Sequence, residues 1–192
     1  NIKALVLDLA HFEERLSLPL LGLIGYEVLK KWEIAFDYTQ QTLTLHYGQQ
    51  RNVPEQLTVT RVPFQLLGHL IAFELHIEGQ PYQLILDSAS GANFLDKSIN
   101  SKHLLDTPTP IQVRSADNID AIYTQSLLTE SSISNTQFFN QPFVRSNLKE
   151  MLPKLDGLLG FPFLSCCKIS VNYRKRELII WNVHTIDLLA ER

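Results

Sequence analysis

A chain of 192 residues with 45% hydrophobic and 19% charged side chains has room for one large domain or two small ones, and its composition excludes a disordered or low-complexity segment. A net charge of −3, with no long run of basic residues, argues against nucleic acid as a partner. The only cysteines are the neighbours Cys166 and Cys167; neighbours rarely bridge because the ring is strained, so no disulfide scaffold is expected, and without a His/Cys cluster at zinc spacing no metal or cofactor is expected.

From the start of the chain, Leu5-Val6-Leu7-Asp8-Leu9 reads as a strand. The apolar stretch from Leu16 to Leu29 is broken by Pro19, Gly22, Gly25 and Glu27, too short and too interrupted to span a bilayer. The chain opens on Asn with no visible signal peptide, so either an upstream segment has been removed or the sequence begins mid-protein. Gly22-Leu23-Ile24-Gly25-Tyr26-Glu27-Val28-Leu29 then has a counterpart in Gly157-Leu158-Leu159-Gly160-Phe161-Pro162-Phe163-Leu164, an offset of 135 residues. The same offset carries Ile34-Ala35-Phe36-Asp37-Tyr38 onto Ile169-Ser170-Val171-Asn172-Tyr173, and Leu43-Thr44-Leu45 onto Leu178-Ile179-Ile180. Each copy of this repeat reads as an apolar strand ending in Gly, a short helical turn and a β-hairpin.

Gly48 to Gln56 is polar, contains Pro54, and reads as a linker. Strand signals follow densely. Val62 to Ile77 alternates loosely, Glu78-Gly79 makes a tight turn, and Tyr82 to Leu86 returns. Ile111 to Val113 and Ile119 to Tyr123 flank the polar turn Ser115-Ala116-Asp117-Asn118. Ser132 to Val144 predicts two short strands, with turns at Asn135-Thr136 and Asn140-Gln141. Only Asn147 to Leu152 and the stretches after Gly25 and Gly160 look helical. The chain is therefore expected to be mostly β.

Leu84-Ile85-Leu86-Asp87-Ser88-Ala89-Ser90 runs an apolar strand directly into a carboxylate. Asp is depleted in strands, and a buried carboxylate is costly unless paired or hydrogen-bonded. Either Asp87 caps a turn, or a carboxylate has been placed at a strand end for chemistry. Other chemistries lack their motifs. Six histidines are scattered without ligand spacing, and there is no Gly-x-Ser-x-Gly elbow, P-loop or dinucleotide glycine pattern. Cys166 and Cys167, in the helical turn of the second copy, are expected to be inert thiols.

The succession from Phe64 to Trp181 resembles one lobe of the retropepsin/pepsin-like aspartic proteases, with the two-lobed bacterial retropepsin-like aspartyl proteases nearest in flavour. Leu86-Asp87-Ser88-Ala89-Ser90 followed by Asn93-Phe94-Leu95, and Asp156-Gly157-Leu158-Leu159-Gly160, carry that resemblance. It implies an acid-protease β-barrel lobe at 61–192, a linker at 48–60, and the C-terminal portion of a preceding lobe at 1–47. It implies that the Asp87 turn crosses the Gly160 strand in a ψ-shaped arrangement. Asp87 would be a catalytic aspartate, and Ser88 the hydroxyl that ties two active-site loops together. Ala89, Ser90 and Gly91 would line the substrate, with Ser115, Ala116, Asp117 and Asn118 as the flap. Ala89 stands where the family carries Gly, and the flap tip lacks glycines.

Such chemistry needs two carboxylates, one as base toward a water and one as acid toward the carbonyl, sharing a proton at about 3 Å separation. Only one Asp-Ser of this kind is present. The resemblance thus implies a peptide or protein substrate and a second aspartate from an upstream lobe or a homodimer partner. A periplasmic or secreted bacterial location would follow if an N-terminal segment is removed. A catalytically inactive peptide-binding or structural module on the same fold is the alternative.

Overall fold

The structure, a computed structural model, describes residues 6, 8–47, 59–107, 110–114, 120–181 and 185–187. In chain order it forms α1 (Ala10–Leu16), α2 (Tyr26–Leu29), β1 (Trp32–Asp37), β2 (Thr42–Tyr47), β3 (Val59–Pro63), β4 (Gln65–Leu67), β5 (Leu70–Ile77) and β6 (Gln80–Leu86). There follow β7 (Phe94–Asp96), β8 (Leu104–Asp106), β9 (Ile111–Arg114), β10 (Asp120–Ile133) and β11 (Thr136–Ser146). The chain ends with α3 (Leu148–Met151), β12 (Gly157–Leu159), α4 (Phe161–Leu164), β13 (Lys168–Asn172), β14 (Glu177–Trp181) and β15 (Thr185–Asp187). The fold is mostly β, as the alternating patterns require.

Several local expectations are refined. The stretch from Val62 to Ile77 is three strands rather than one, because Gly68, at φ 65°, and His69 turn β4 back onto β5. Glu78 and Gly79 both have positive φ, the mirror-image turn whose twist suits a two-residue hairpin between β5 and β6. Asn140-Gln141 does not turn: β11 runs straight through it with Asn140 at φ 54°. Leu5 to Leu9 does not continue as a strand into Asp8, which instead precedes α1 and accepts a hydrogen bond from the Ala10 N–H at 2.9 Å. Residues 1–5 and 7 lie outside the described residues, as do 48–58 of the expected linker.

The larger sheet closes into a barrel. Its order runs β11-β7-β12-β6-β5-β10, and β10 pairs in turn with β11, completing the ring. Inside it Phe73, Leu75, Ile77, Leu84, Leu95, Leu128, Ile133, Phe138, Phe143 and Leu159 are buried in one cluster. Each buried aliphatic or aromatic side chain contributes roughly 1.5–3 kcal/mol of transfer free energy. That cluster fixes the strand ends on which the candidate site is built.

The second sheet, in the order β2-β1-β13-β14-β3, joins the two copies of the repeat. β1 and β13 pair antiparallel with Ala35 opposite Ser170, residues separated by the repeat offset, so a local two-fold axis passes between them. Contacts come in pairs about that axis. Lys168 Nζ lies 3.0 Å from Asp37 Oδ2, and at the equivalent pair Asn172 Nδ2 donates to Glu33 Oε2 at 3.0 Å. Tyr38 meets Phe161 edge-on at 5.5 Å, and Tyr173 meets Tyr26 at 5.4 Å. Asp37 accepts from the Gln40 N–H, and Asn172 from the Lys175 N–H, each at 3.0 Å. Even the hairpin turns agree, Gln41 and Arg176 having φ 51° and 55°.

One element breaks the symmetry. Leu158 and Leu159 lie in β12, between two neighbouring strands, whereas Leu23 and Ile24 form no strand. A strand is held by its ladder, and residues 22–24 have no ladder partner among the described residues.

Candidate active site

The site begins where β6 ends. Leu84, Ile85 and Leu86 pair in parallel with Gly157, Leu158 and Leu159 of β12, and β12 pairs antiparallel with Phe94 and Leu95 of β7 on its other side. The strands before and after the Asp87 turn are thus held apart by a third strand threaded between them. This is the ψ arrangement. Asp87 sits half-buried at the crossing, its N–H donating to the Leu159 carbonyl at 2.9 Å.

The turn is closed by its own side chains. Asp87 Oδ1 accepts from the Ala89 N–H at 2.9 Å, and the Ser90 N–H reaches the Asp87 carbonyl at 3.3 Å. The turn-cap reading of Asp87 is therefore right about one carboxylate oxygen. Oδ2 accepts no hydrogen bond among the described residues. Ser90 Oγ donates to the Ala92 carbonyl at 2.7 Å, so this hydroxyl shapes the loop. Ser88 and Ala89 are exposed, as is Gly91, and Ala89 keeps a φ outside the left-handed region. An alanine therefore fits here without backbone strain. Ser115, Ala116, Asp117 and Asn118 lie outside the described residues. The strands leading to them, β9 and β10, pair as a hairpin from Arg114 opposite Asp120. Tyr123 of β10 packs edge-on against Phe94 of β7 at 6.3 Å, which brings the base of that hairpin beside the turn.

Two side chains clamp the crossing. Buried Asn93 accepts the Gly160 N–H on Oδ1 at 2.9 Å and donates from Nδ2 to the Pro142 carbonyl at 3.1 Å. It thereby joins the Asp87 loop, the β12 end and the barrel wall. The Phe161 N–H donates to the Ser90 carbonyl at 2.8 Å. Gly160 allows this closeness: a Cβ there would lie 2.5 Å from the Ala92 carbonyl oxygen and 2.6 Å from that of Ser90. The sequence reading placed Asn93 in the motif but assigned it no role. An amide six residues past a strand-end Asp was the available signal.

The other acidic groups nearby are structural. Asp156 accepts the Gln83 N–H at 2.8 Å and pairs with Lys149 Nζ at 2.8 Å, which raises that ammonium above its ordinary value. Asp96 is buried. Burial works to raise its carboxyl, yet hydrogen bonds from Ser98 and the Lys149 N–H hold it below its ordinary value. Neither faces Asp87 by any contact among the described residues. No group of three or more His, Cys, Asp or Glu there could hold a metal ion, and no helix there is long and apolar enough to cross a membrane.

No family model matches the chain, and no curated protein does. Among solved structures, a retropepsin-like aspartic protease from Rickettsia conorii is similar at 13% identity and a TM-score of 0.40, over 66% of this chain and 94% of that one. A likeness of that degree carries no weight for activity.

Proposed function

We propose that the chain carries one half of the active site of an aspartic endopeptidase, with Asp87 as one of its two carboxylates. One observation carries the reading: β12 is threaded between β6 and β7, so that Asp87 stands at the crossing with one carboxylate oxygen tied to its own turn and the other without a hydrogen-bond partner among the described residues. In the reaction, one aspartate takes a proton from a water as that water attacks the peptide carbonyl. The other, protonated, donates to the carbonyl oxygen, and the amine leaves with a proton returned from the pair. The two must lie close enough to share a proton, so the second comes from an upstream lobe or a second chain. Ser88 would bond toward that partner loop. Ala89, Ser90 and Gly91 would face the peptide, with Ser115 to Asn118 closing over it.

A second reading, an inactive peptide-binding module, is favoured by Ala89 at the glycine position and by the lack of a second carboxylate facing Asp87 among the described residues. The two are separated by calorimetry on the natural polypeptide, comparing a peptide with its statine-type analogue, in which a hydroxyl replaces the tetrahedral intermediate. An enzyme binds the analogue at least about 100-fold more tightly. Equal affinity for both sinks the peptidase reading.

A further inference from the structure

Arg145, near the end of β11, is a buried cation, only 9% exposed. Its strand runs between β7 and β10, with Leu95 opposite Arg145 on one side and Thr124 on the other. Its Nη2 donates to three carbonyls at the end of β7 and in the loop beyond: Asp96 at 3.2 Å, Lys97 at 3.1 Å and Ile99 at 2.6 Å. Two N–H bonds thus serve three acceptors. Nε is buried without a partner, and Nη1 makes no hydrogen bond among the described residues. No carboxylate among them pairs with the guanidinium. Asp96, the nearest acid along the chain, offers Arg145 its carbonyl and keeps its carboxylate for the N–H groups of Ser98 and Lys149. A buried charge is costly without a counter-ion, and peptide carbonyls supply only partial charges.

Arg145 lines an open cavity of about 410 Å³ together with Asn100, Ser101, Lys102, Leu104 and Asp106. That volume lies within the ordinary range of small-molecule sites. Lys102 brings a second cation, exposed at the rim and 3.4 Å from Glu78. Asn100 and Ser101 add neutral polar groups, and Leu104 an apolar one. We infer that this cavity binds a small organic carboxylate, its anionic end set against Arg145 and Lys102 and its apolar end against Leu104. A carboxylate is the planar oxygen pair that a guanidinium recognises best, and it supplies the counter-ion that the fold leaves out. Asp106 decides between anions. Its Oδ1 accepts from buried Ser126 at 2.5 Å, which holds a negative charge on β8 at the cavity wall. A phosphate dianion meets twice the repulsion there that a carboxylate meets. No residue of the Asp87 turn lines the cavity, so the inference does not depend on the peptidase reading.

The test is calorimetric titration of the natural polypeptide with sodium butyrate and, separately, with inorganic phosphate, at one ionic strength set by chloride. Butyrate should saturate a single site with a Kd at or below about 1 mM, and phosphate should bind at least about 10-fold more weakly. Lys102→Glu, a change at an exposed position, should weaken butyrate by at least about 10-fold, because it replaces an attraction with a repulsion. Asp106→Asn keeps an acceptor for Ser126 and should tighten butyrate by about 3-fold. Arg145→Lys keeps the charge without the planar fork and should weaken butyrate by at least about 10-fold. Loss of the three carbonyl bonds can itself unfold that variant, so the Lys102 and Asp106 variants decide the outcome. The inference is overturned if butyrate gives no saturable heat, if phosphate binds as tightly as butyrate, or if Lys102→Glu and Asp106→Asn both leave butyrate affinity unchanged. A guanidinium that serves only to tie the three carbonyls together would give the first of these results.

Discussion

Gly160→Ala is the sharpest perturbation of the crossing. The added carbon would sit 2.5 Å from the Ala92 carbonyl oxygen, 2.6 Å from that of Ser90 and 3.0 Å from Ser90 Cβ. Ordinary contact begins near 3.4 Å, so the Asp87 loop must retreat by about 0.9 Å, a distance that backbone on both sides resists. Overpacking of that kind costs about 1–3 kcal/mol. The retreat also stretches the bonds from the Phe161 N–H to Ser90 and from the Gly160 N–H to Asn93, at about 0.5–1.5 kcal/mol each. The sum is about 2–6 kcal/mol, read as the urea midpoint at unchanged slope, or as about 2–4 °C of melting temperature per kcal/mol. Glycine's freedom contributes little, since φ −112° suits alanine. Gly25→Ala in the same chain is the internal control and should shift the midpoint hardly at all. If the two variants behave alike, the close packing of loop and strand is not what holds the turn.

Asn93→Ala should cost about 2–4 kcal/mol in urea denaturation, because it leaves the Gly160 N–H and the Pro142 carbonyl without their partner; Asn93→Asp should recover part of this, through the Gly160 bond alone. Asp37 is held below its ordinary value of 3.8 by the Gln40 N–H and by Lys168, against burial. Its contribution is therefore fully present above the unfolded value and lost as pH falls through the lower folded one. The urea midpoint should drop with acidification below about pH 4, less steeply in Asp37→Asn, and an unchanged slope in that variant would refute the assignment. Ala89→Gly should leave stability within about 1 kcal/mol and raise kcat/KM of the natural polypeptide by about 3–10-fold toward bulky peptides, as peptide-cleavage assays would register.

Much of this was legible because it is written in local pattern. The 135-residue offset, the apolar run into Asp87 and the glycines at 157 and 160 each depend on short stretches of chain, and they predicted the strands that cross. The barrel was expected from the family resemblance and not from local pattern, since its closure depends on β10 pairing with both β5 and β11 across long separations. Asn140-Gln141 carries turn chemistry yet lies within β11, where the ladder with β10 outweighs local preference. Ala10 to Leu16 was missed as a helix because its apolar residues are few and their period weak. Asn93 was seen only as sequence; its role exists only once β12 lies beside it.

The central claim is that Asp87 performs peptide hydrolysis. Its most direct test is cleavage of a denatured protein substrate by the natural polypeptide across the acid range, for the unaltered protein and for Asp87→Asn. The substitution removes the ionisable oxygen while keeping the size of the side chain and its acceptor toward the Ala89 N–H. The account predicts pepstatin-sensitive proteolysis that falls by at least about 1,000-fold in Asp87→Asn, with melting temperature retained. Proteolysis that persists unchanged in Asp87→Asn would contradict it.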